Sequence, residues 1–197
     1  MKIIEDKNNK VGKHEEKRRY FESQGIQVLS YALPVGDYIL VTDAVADMLA
    51  RKDHRGIPPK KMDFIGTYDV CIDTKNSVDE LVTDICGKQH ERFRDECILA
   101  QQNGIRLIVL VESKDEGLGK YKKIMNPAVR SIEDLFHWKN KRAFIWKNGK
   151  QLYPTATKGA TLAKACITMQ KKYGVEFLFC DPKDSGRRII ELLGGAE

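Results

Sequence analysis

The sequence has no long apolar run and no recognisable targeting segment. It contains no stretch of about eighteen apolar residues, the length that a membrane-spanning helix requires. Its N-terminus, MKIIEDKNNK, lacks the hydrophobic centre of a secretion signal. These absences predict a soluble, cytoplasmic protein that does not act at a membrane.

Frameworks of zinc ligands or disulfides are also missing. The five cysteines are an odd number, and none belongs to a Cys-x-x-Cys pair or a Cys/His group with zinc spacing. In a chain without a secretion signal we expect them to be reduced and buried as small apolar side chains. Neither an internal repeat nor a low-complexity linker divides the sequence, which predicts a single domain over residues 1–197.

The charge balance is mildly basic. Thirty-four Lys and Arg against 28 Asp and Glu give a formal net charge of +6, while 42% of the residues are hydrophobic. The apolar fraction is sufficient for a folded core, and the excess of positive charge favours an acidic partner such as nucleic acid. Because acids and bases are interspersed, charge alone does not identify that partner.

Apolar patterning and turn residues predict alternating strands and helices. In the first third we expect a strand at 2–5, a helix at 12–23, and two strands at 26–33 and 37–41 joined by a hairpin or a sharp bend. Residues 42–66 combine a short helical piece with a basic loop that contains Pro58-Pro59, and we interpret them as an insertion over the surface.

The rest of the chain continues the alternation. The predicted elements are a strand at 68–74, a helix capped by Ser77, a helix at 89–102, an apolar strand at 106–112, a helix at 131–138, a hairpin at 144–153, a helix at 161–174, a strand at 175–180 and a helix at 185–193. The run RLIVLVE suits a strand covered on both faces. The pattern therefore predicts an α/β fold with a central mixed β-sheet flanked by helices.

Three acids fall at predicted strand ends: Asp6, Asp37 and Asp73. Because side chains alternate along a strand, Asp73 and Lys75 lie on one face of their strand. Carboxylates brought together across a sheet suit Mg²⁺ or Mn²⁺, with water and phosphate oxygens completing the shell. Beside such an ion, Lys75 could hold an attacking water or a scissile phosphate. An exposed strand-end ion pair is the structural alternative.

The order of the motifs resembles one nuclease family. VGDYIL (35–40) followed by IDTKNSVD (72–79) resembles the Gly-Asp and Glu-Arg-Lys-x-x-x-Asp signature of the XPF-type nuclease domain, the excision-repair cross-complementation group four family. IIED (3–6) resembles the first strand and acid of that family, and residues 89–112 resemble its Arg-bearing helix and apolar strand. The resemblance implies a restriction-endonuclease-like fold of the PD-(D/E)XK class.

Residue by residue, the resemblance implies a catalytic set of Asp37, Asp73 and Lys75, with Asp6, Asp37 and Asp73 as metal ligands. The sequence departs from the family pattern where Asp73 replaces Glu and Thr74 replaces Arg. It departs again at 8 and 9, where Asn8 and Asn9 stand in place of Arg and Glu. Asp79, the closing acid of the motif, lies in the first turn of a capped helix, and we expect a structural role there.

Two basic groups are candidate DNA contacts: Lys88, Gln89 and Arg92 at the start of one helix, and Lys139, Lys141 and Arg142 in the segment HWKNKRAFIWKNGK (137–150). The second segment has five Lys or Arg and no acid. Basic residues interleaved with aromatic ones are typical of stacking on nucleic acid, although the same aromatics suit a hairpin core. We expect the basic side chains to contact DNA and the aromatic ones to be mostly packed. A solvated helix face is the alternative for the first group.

Together these features predict a divalent-metal-dependent DNA endonuclease, with Mg²⁺ or Mn²⁺ as cofactor and flap or branched DNA as the substrate that the resemblance implies. Two alternatives stay open. One is a DNA-binding pseudo-nuclease without activity, and the other is a subunit that requires a partner. The sequence does not decide between a monomer, a homodimer and a complex with another protein.

Overall fold

The computed structural model describes residues 1–8, 14–120 and 122–194. Its strands are β1 (Lys2–Asp6), β2 (Gln27–Tyr31), β3 (Tyr38–Leu40), β4 (Val70–Lys75), β5 (Arg106–Glu112), β6 (Glu116–Leu118), β7 (Ile124–Asn126), β8 (Trp146–Lys147), β9 (Lys150–Gln151) and β10 (Glu176–Cys180). Its α-helices are α1 (Glu15–Ser23), α2 (Asp43–His54), α3 (Val78–Ile85), α4 (His90–Gln102), α5 (Ile132–Leu135), α6 (Gly159–Tyr173) and α7 (Ser185–Leu192).

A six-stranded mixed sheet forms the centre, in the order β10-β5-β4-β3-β1-β2. Strands β4, β5 and β10 are parallel, β1 and β2 are parallel, and β3 is antiparallel to both of its neighbours. Two further pairs, β6-β7 and β8-β9, are small antiparallel hairpins outside this sheet. The predicted α/β fold with a mixed sheet flanked by helices is therefore confirmed.

Strand β5 is covered on both faces, as its apolar sequence predicts. Val109 and Val111 belong to the core cluster that α3, α4 and α6 contribute to. Ile108 and Leu110 belong to a second cluster on the opposite face, with residues of α1 and α7. Burying a side chain of this size contributes about 1.5–3 kcal/mol, so both layers stabilise the sheet.

The predicted hairpin between the second and third strands is wrong, and the alternative, a bend, is correct. Strand β1 lies between them, because Ile4 is paired with Leu29 of β2 on one side and with Ile39 of β3 on the other. The connecting segment crosses the end of β1. Gly36 has φ +75° there, and a Cβ would lie 2.9 Å from Cys71 Cβ, so glycine fits the bend.

Residues 42–66 contain α2 and a short 3-10 turn, Lys61–Phe64. Thr42 caps α2, since its hydroxyl accepts a hydrogen bond from the Val45 amide at 3.2 Å. Val45, Met48 and Phe64 are buried in the same core cluster as β5. The segment thus contributes apolar side chains to the core as well as covering it.

The first helix is shorter than predicted, beginning at Glu15. Gly12, its predicted start, and Asn9 lie outside the described residues. The expectation that all five cysteines are buried holds for four and is wrong for Cys86, which is exposed just after α3. None of the helices in the described ranges has the length and apolar character needed to cross a bilayer.

Candidate active site

An open cleft of about 1010 Å³ lies where β1 ends, β3 begins and β4 ends. Its lining has eight acids and four bases: Asp6, Asp37, Asp73, Asp79, Glu80, Asp84, Asp95 and Glu96, with Lys61, Lys75, Arg92 and Arg142. Two backbone bonds hold the strand ends together, from the Asp6 amide to the Asp37 carbonyl at 2.7 Å and from the Asp37 amide to the Ile72 carbonyl at 2.8 Å. The bend after β2 therefore places Asp37 between the other two predicted acids.

Asp73 and Lys75 both face this cleft, as the alternation of side chains along β4 predicts. Lys75 Nζ lies 2.7 Å from Asp73 Oδ2 and 2.8 Å from Asp84 Oδ2. All three side chains are largely buried. The ammonium is therefore fixed between two carboxylates, unlike the lysine of an exposed strand-end ion pair.

The Asp73 carboxylate is buried without full compensation. Although Lys75 Nζ is at contact distance, Asp73 Oδ2 receives no properly oriented hydrogen bond from any described residue. Burial raises the pKa of Asp73 to about 8; Lys75 lowers it, and the charges of Asp37 and Glu96 raise it. The protein therefore compensates the ionised form of Asp73 only in part, and the carboxyl group keeps its proton to a higher pH than usual.

Thr74 fixes the orientation of Asp37. The Thr74 amide donates to Asp37 Oδ2 at 2.9 Å, and the Thr74 hydroxyl donates to the same oxygen at 2.6 Å. Both bonds use Oδ2, so they orient the carboxylate without occupying Oδ1. The residue that replaces the family's Arg therefore acts on a neighbouring acid.

Behind Thr74, a buried polar network extends away from the cleft. His14 Nε2 lies 3.5 Å from the Thr74 hydroxyl, and His14 Nδ1 lies 2.5 Å from Tyr38 Oη. Tyr38 donates to Glu5 Oε1 at 3.0 Å, and Arg18 donates to Glu5 Oε2 at 2.8 Å. Although burial raises the pKa of Glu5, its bonds to His14, Arg18 and Tyr38 prevail and lower it. The Thr74 hydroxyl therefore lies between Asp37 on the cleft side and His14 of this network on the other side.

Four acids of the cleft lining, Glu80, Asp84, Asp95 and Glu96, were not predicted as site residues, and two of them bind groups of the site. Glu96 Oε1 accepts a hydrogen bond from the Gly36 amide at 2.8 Å, and burial raises the pKa of Glu96. Gln89, Arg92 and Glu96 are three and four residues apart, a spacing that places them on one face of α4 and could have indicated Glu96. Asp84 follows Glu80 by four residues on α3, and only the structure pairs it with Lys75.

Asp6 lines the cleft and also closes a turn. Its Oδ1 accepts hydrogen bonds from the Leu33 amide at 3.1 Å and from Asn8 Nδ2 at 3.2 Å. Within the described ranges, no three Asp, Glu, His or Cys side chains are arranged as ligands of one ion. The three predicted acids share the cleft without forming a three-ligand cage.

The candidate DNA contacts fall into three positions. Gln89, Arg92 and Arg142 line the cleft. Lys141 is bound to acids, with its Nζ 2.8 Å from Asp79 Oδ2 and 3.6 Å from Glu116 Oε1. This ion pair gives Asp79 a structural partner. The remaining two, Lys88 and Lys139, are exposed outside the cleft lining.

Aromatic side chains of the segment 137–150 are only partly packed. Trp138 is buried, with 7% of its surface exposed, as predicted. Trp146 is 63% exposed, so the expectation of a packed aromatic is wrong for this residue. The predicted hairpin turn is present, with Asn148 and Gly149 at φ +50° and +73°.

The protein thus has a central mixed sheet flanked by helices, and the acid-lysine strand β4 ends at an acidic cleft. The family model of the ERCC4 domain matches residues 8–192. The chain therefore belongs to the ERCC4 domain family, a family of nucleases.

Solved structures of the same fold include XPF from Aeropyrum pernix, with 15% sequence identity and a TM-score of 0.53. XPF from Aeropyrum pernix in complex with DNA gives 16% identity and a TM-score of 0.49. Each match covers 98% of this chain and 63% of the XPF chain. A comparison with curated proteins gave no match. At this identity the likeness shows the fold.

Proposed function

We propose that the protein is a divalent-metal-dependent DNA endonuclease that hydrolyses phosphodiester bonds. The observation that carries the proposal is the buried, incompletely paired Asp73 carboxylate beside Asp37 and Lys75 in an open cleft. A buried charge without full compensation is costly, and such residues concentrate at functional sites. Membership of a nuclease family supports the same conclusion.

The donor set fits Mg²⁺ or Mn²⁺ held by two carboxylates. Mg²⁺ is commonly bound by one or two carboxylates, with water and substrate phosphates completing the shell, so a three-acid cage is not required. Asp37 and Asp73 would hold the ion, with Asp6 near the same strand ends. When bound, such an ion stabilises negative charge on the phosphate and lowers the pKa of a coordinated water.

Lys75 would act as a fixed cation. Burial alone would lower the pKa of Lys75, but the charges of Asp73 and Asp84 raise it above its ordinary value. A lysine that keeps its proton throughout the physiological range cannot accept one from water. It can hold a phosphate oxygen and stabilise the negative charge that develops during hydrolysis.

A nucleic-acid backbone would be held across the cleft by Gln89, Arg92 and Arg142. Arg pairs with phosphate through two parallel N–H donors, and phosphate contacts position a nucleic acid without reading its sequence. Arg92 and Arg142 line the cleft from different elements, α4 and the segment before β8. This arrangement supports recognition of DNA by its backbone and shape. We propose flap or branched DNA as the substrate class because the resemblance to the family implies it.

One observation favours an inactive DNA-binding protein, or a subunit that requires a partner. Lys75 is already neutralised by Asp73 and Asp84 at 2.7 and 2.8 Å, which leaves it less charge for a substrate. Asp73 is also one methylene shorter than the family's Glu. If these features decide the outcome, the protein will bind DNA without cutting it.

Cleavage of labelled DNA tests the proposal. We expect the purified protein to cut single-stranded, duplex, flap or four-way-junction DNA with Mg²⁺ or Mn²⁺ and not with EDTA. Asp37→Asn is expected to lower the rate by at least about 100-fold, because a lost ligand removes several kcal/mol of charge stabilisation. The control is Asp63→Asn, since Asp63 pairs with Lys52 outside the cleft at 2.7 Å. Tight binding without cleavage in either metal would favour the pseudo-nuclease.

Removing the Thr74 hydroxyl is expected to weaken cleavage through Asp37. In Thr74→Val the bond to Asp37 Oδ2 at 2.6 Å is lost while the amide bond remains. Loss of a residue that orients a metal ligand through a hydrogen bond costs about 10–100-fold in metal affinity or activity. We expect Thr74→Ser to restore the rate. Thr67→Val is the control and should leave the rate unchanged, because the Thr67 hydroxyl donates to the Phe64 carbonyl at 2.8 Å, outside the cleft lining. Equal rates for Thr74→Val and wild type would refute this role.

A further inference from the structure

A large aromatic side chain is exposed on the hairpin of β8 and β9. Trp146 is 63% exposed, whereas the only other tryptophan, Trp138, is 7% exposed. Ile145, Leu152 and Tyr153 beside it are also more than two-fifths exposed. A tryptophan side chain carries about 150–250 Å² of surface that burial would remove from water. So large an exposed apolar side chain indicates a surface that contacts a partner.

The hairpin holds this side chain on a fixed element. Trp146 pairs with Gln151 across the hairpin, and the turn between the strands has the backbone angles that Asn-Gly supports. The Gln151 side chain donates to the Ala143 carbonyl at 2.6 Å, and the Leu152 amide donates to the Ile145 carbonyl at 2.9 Å. Trp146 is therefore presented by a turn that is bound back onto the preceding segment.

The same segment connects Trp146 to the active-site cleft. Lys141 is bound to Asp79, and Arg142 lines the cleft. Trp146 is four positions after Arg142, so the chain between them spans at most about 14 Å even when fully extended. That distance is about four steps along one strand of a nucleic acid, at roughly 3.4 Å per step. Trp146 thus lies within a few nucleotides of the cleft.

Charge around the hairpin selects an anionic partner. Residues 137–150 carry five Lys or Arg and no acid. A second copy of the chain would meet this surface with like charge in a symmetric contact, which is unfavourable. A nucleic-acid strand offers phosphates to the basic side chains and flat bases to the indole, and base stacking on an aromatic side chain tolerates any sequence.

We propose that the β8-β9 hairpin is a stacking platform, on which Trp146 contacts an unpaired nucleotide of DNA bound in the cleft. The inference rests on the proposed function and adds a residue to it: the indole of Trp146 would hold the unpaired strand of the flap or branched DNA already proposed as substrate. In duplex DNA the bases are stacked on each other and offer no free face to Trp146. The platform therefore favours flaps and branches over continuous duplex.

Tryptophan fluorescence in EDTA tests the contact without any cleavage. Trp138→Phe leaves Trp146 as the only tryptophan, and Trp146→Phe leaves Trp138. Titration with a single-stranded oligonucleotide is expected to quench the fluorescence of Trp138→Phe and to leave that of Trp146→Phe nearly unchanged. Binding without quenching of Trp146, measured by anisotropy of labelled DNA in the same solutions, would overturn the proposal.

Affinity measurements give the second test. Trp146→Ala is expected to weaken binding of flap and single-stranded DNA about tenfold or more, the scale of one lost base-aromatic stack, and to lower the ratio of flap to duplex affinity. Because the side chain is exposed, the variant is expected to keep the wild-type unfolding midpoint. An unchanged ratio would refute the platform. A shift from dimer to monomer with unchanged DNA affinity would instead identify a protein interface and also refute it.

The two proposals can fail separately. If the wild type cuts no DNA but Trp146 is quenched by single strands, the nuclease proposal fails and the platform stands. If the wild type cuts DNA and Trp146→Ala keeps the flap preference, the nuclease proposal stands and the platform fails.

Discussion

Asp73→Asn is expected to abolish cleavage while making the protein less sensitive to rising pH. The substitution keeps the shape of the side chain and removes the charge that would bind a cation and face the phosphate. A loss of several kcal/mol of transition-state stabilisation corresponds to a rate reduction of about 10³-fold or more. Since Asp73 is 5% exposed, the change also removes a buried titratable group, and its effect on folding follows from the pKa.

The sign of the pH effect follows from the raised pKa. Burial raises the pKa of Asp73 from 3.8 to about 8, so between these values the folded protein binds a proton that the unfolded chain releases. The stabilisation from this group is fully present below about pH 4 and is lost as the pH rises towards 8. We therefore expect the stability of Asp73→Asn to fall less than that of wild type between pH 4 and pH 8. In EDTA at pH 8, the thermal unfolding midpoint of Asp73→Asn should be higher than that of wild type.

An acid with the opposite shift provides the control. A hydrogen bond from Lys52 lowers the pKa of Asp63, so its stabilisation is gained as the pH rises. The stability of Asp63→Asn is therefore expected to fall with rising pH as much as that of wild type, or more steeply. Equal pH dependence of wild type and Asp73→Asn would show that Asp73 is ionised in the folded protein throughout, contrary to the prediction.

Divalent ions extend the same measurement. A ligand that binds only the folded state raises the unfolding midpoint in proportion to the logarithm of its concentration. We expect Mg²⁺ or Mn²⁺ to stabilise the wild type at pH 8 and to have little effect on Asp73→Asn. This readout separates the loss of a ligand from the loss of a catalytic step.

Part of the site could be predicted because it depends on local geometry. Alternation along one strand places Asp73 and Lys75 on the same face, and the sequence shows that strand clearly. Asp37 could be assigned to a strand end, but its position depends on β1 lying between β2 and β3. Strand order is a long-range property, and the pattern of 26–41 suits a hairpin equally well. A hairpin and a bend between these two strands have the same local sequence pattern, so the sequence could not decide between them.

The parts that could not be predicted depend on packing between elements. Glu96 and Asp84 lie on helices whose polar faces each offer several acids, and only the docking of α3 and α4 selects these two.

Thr74 is a different case. The departure from the family's Arg suggests a lost cation, yet its side chain points away from Lys75 and bonds to Asp37. Its role follows from the bend that places Asp37 beside β4.

Lys75→Met is expected to have the largest effect on stability as well as on cleavage. Methionine keeps much of the volume but leaves Asp73 and Asp84 buried without their common cation. Breaking a buried ion pair in this way costs about 3–5 kcal/mol, which corresponds to a fall of roughly 10 °C in the unfolding midpoint of a chain of this length. The loss should shrink as the pH falls below about 8, where Asp73 takes up a proton.

A second buried lysine distinguishes a catalytic cation from a structural one. Lys17 is 4% exposed and pairs with Glu112, so Lys17→Met should lose stability to a similar extent. Lys17 also donates to Asn76 Oδ1 at 3.3 Å, but its own side chain lies outside the cleft lining. Below its unfolding midpoint, Lys17→Met is expected to keep cleavage, whereas Lys75→Met loses about 100-fold or more through the missing charge stabilisation. Mg²⁺ should stabilise Lys75→Met more than wild type, because the ion then meets carboxylates without a competing ammonium. Cleavage at the wild-type rate by folded Lys75→Met would reduce Lys75 to a structural counter-ion of Asp73 and Asp84.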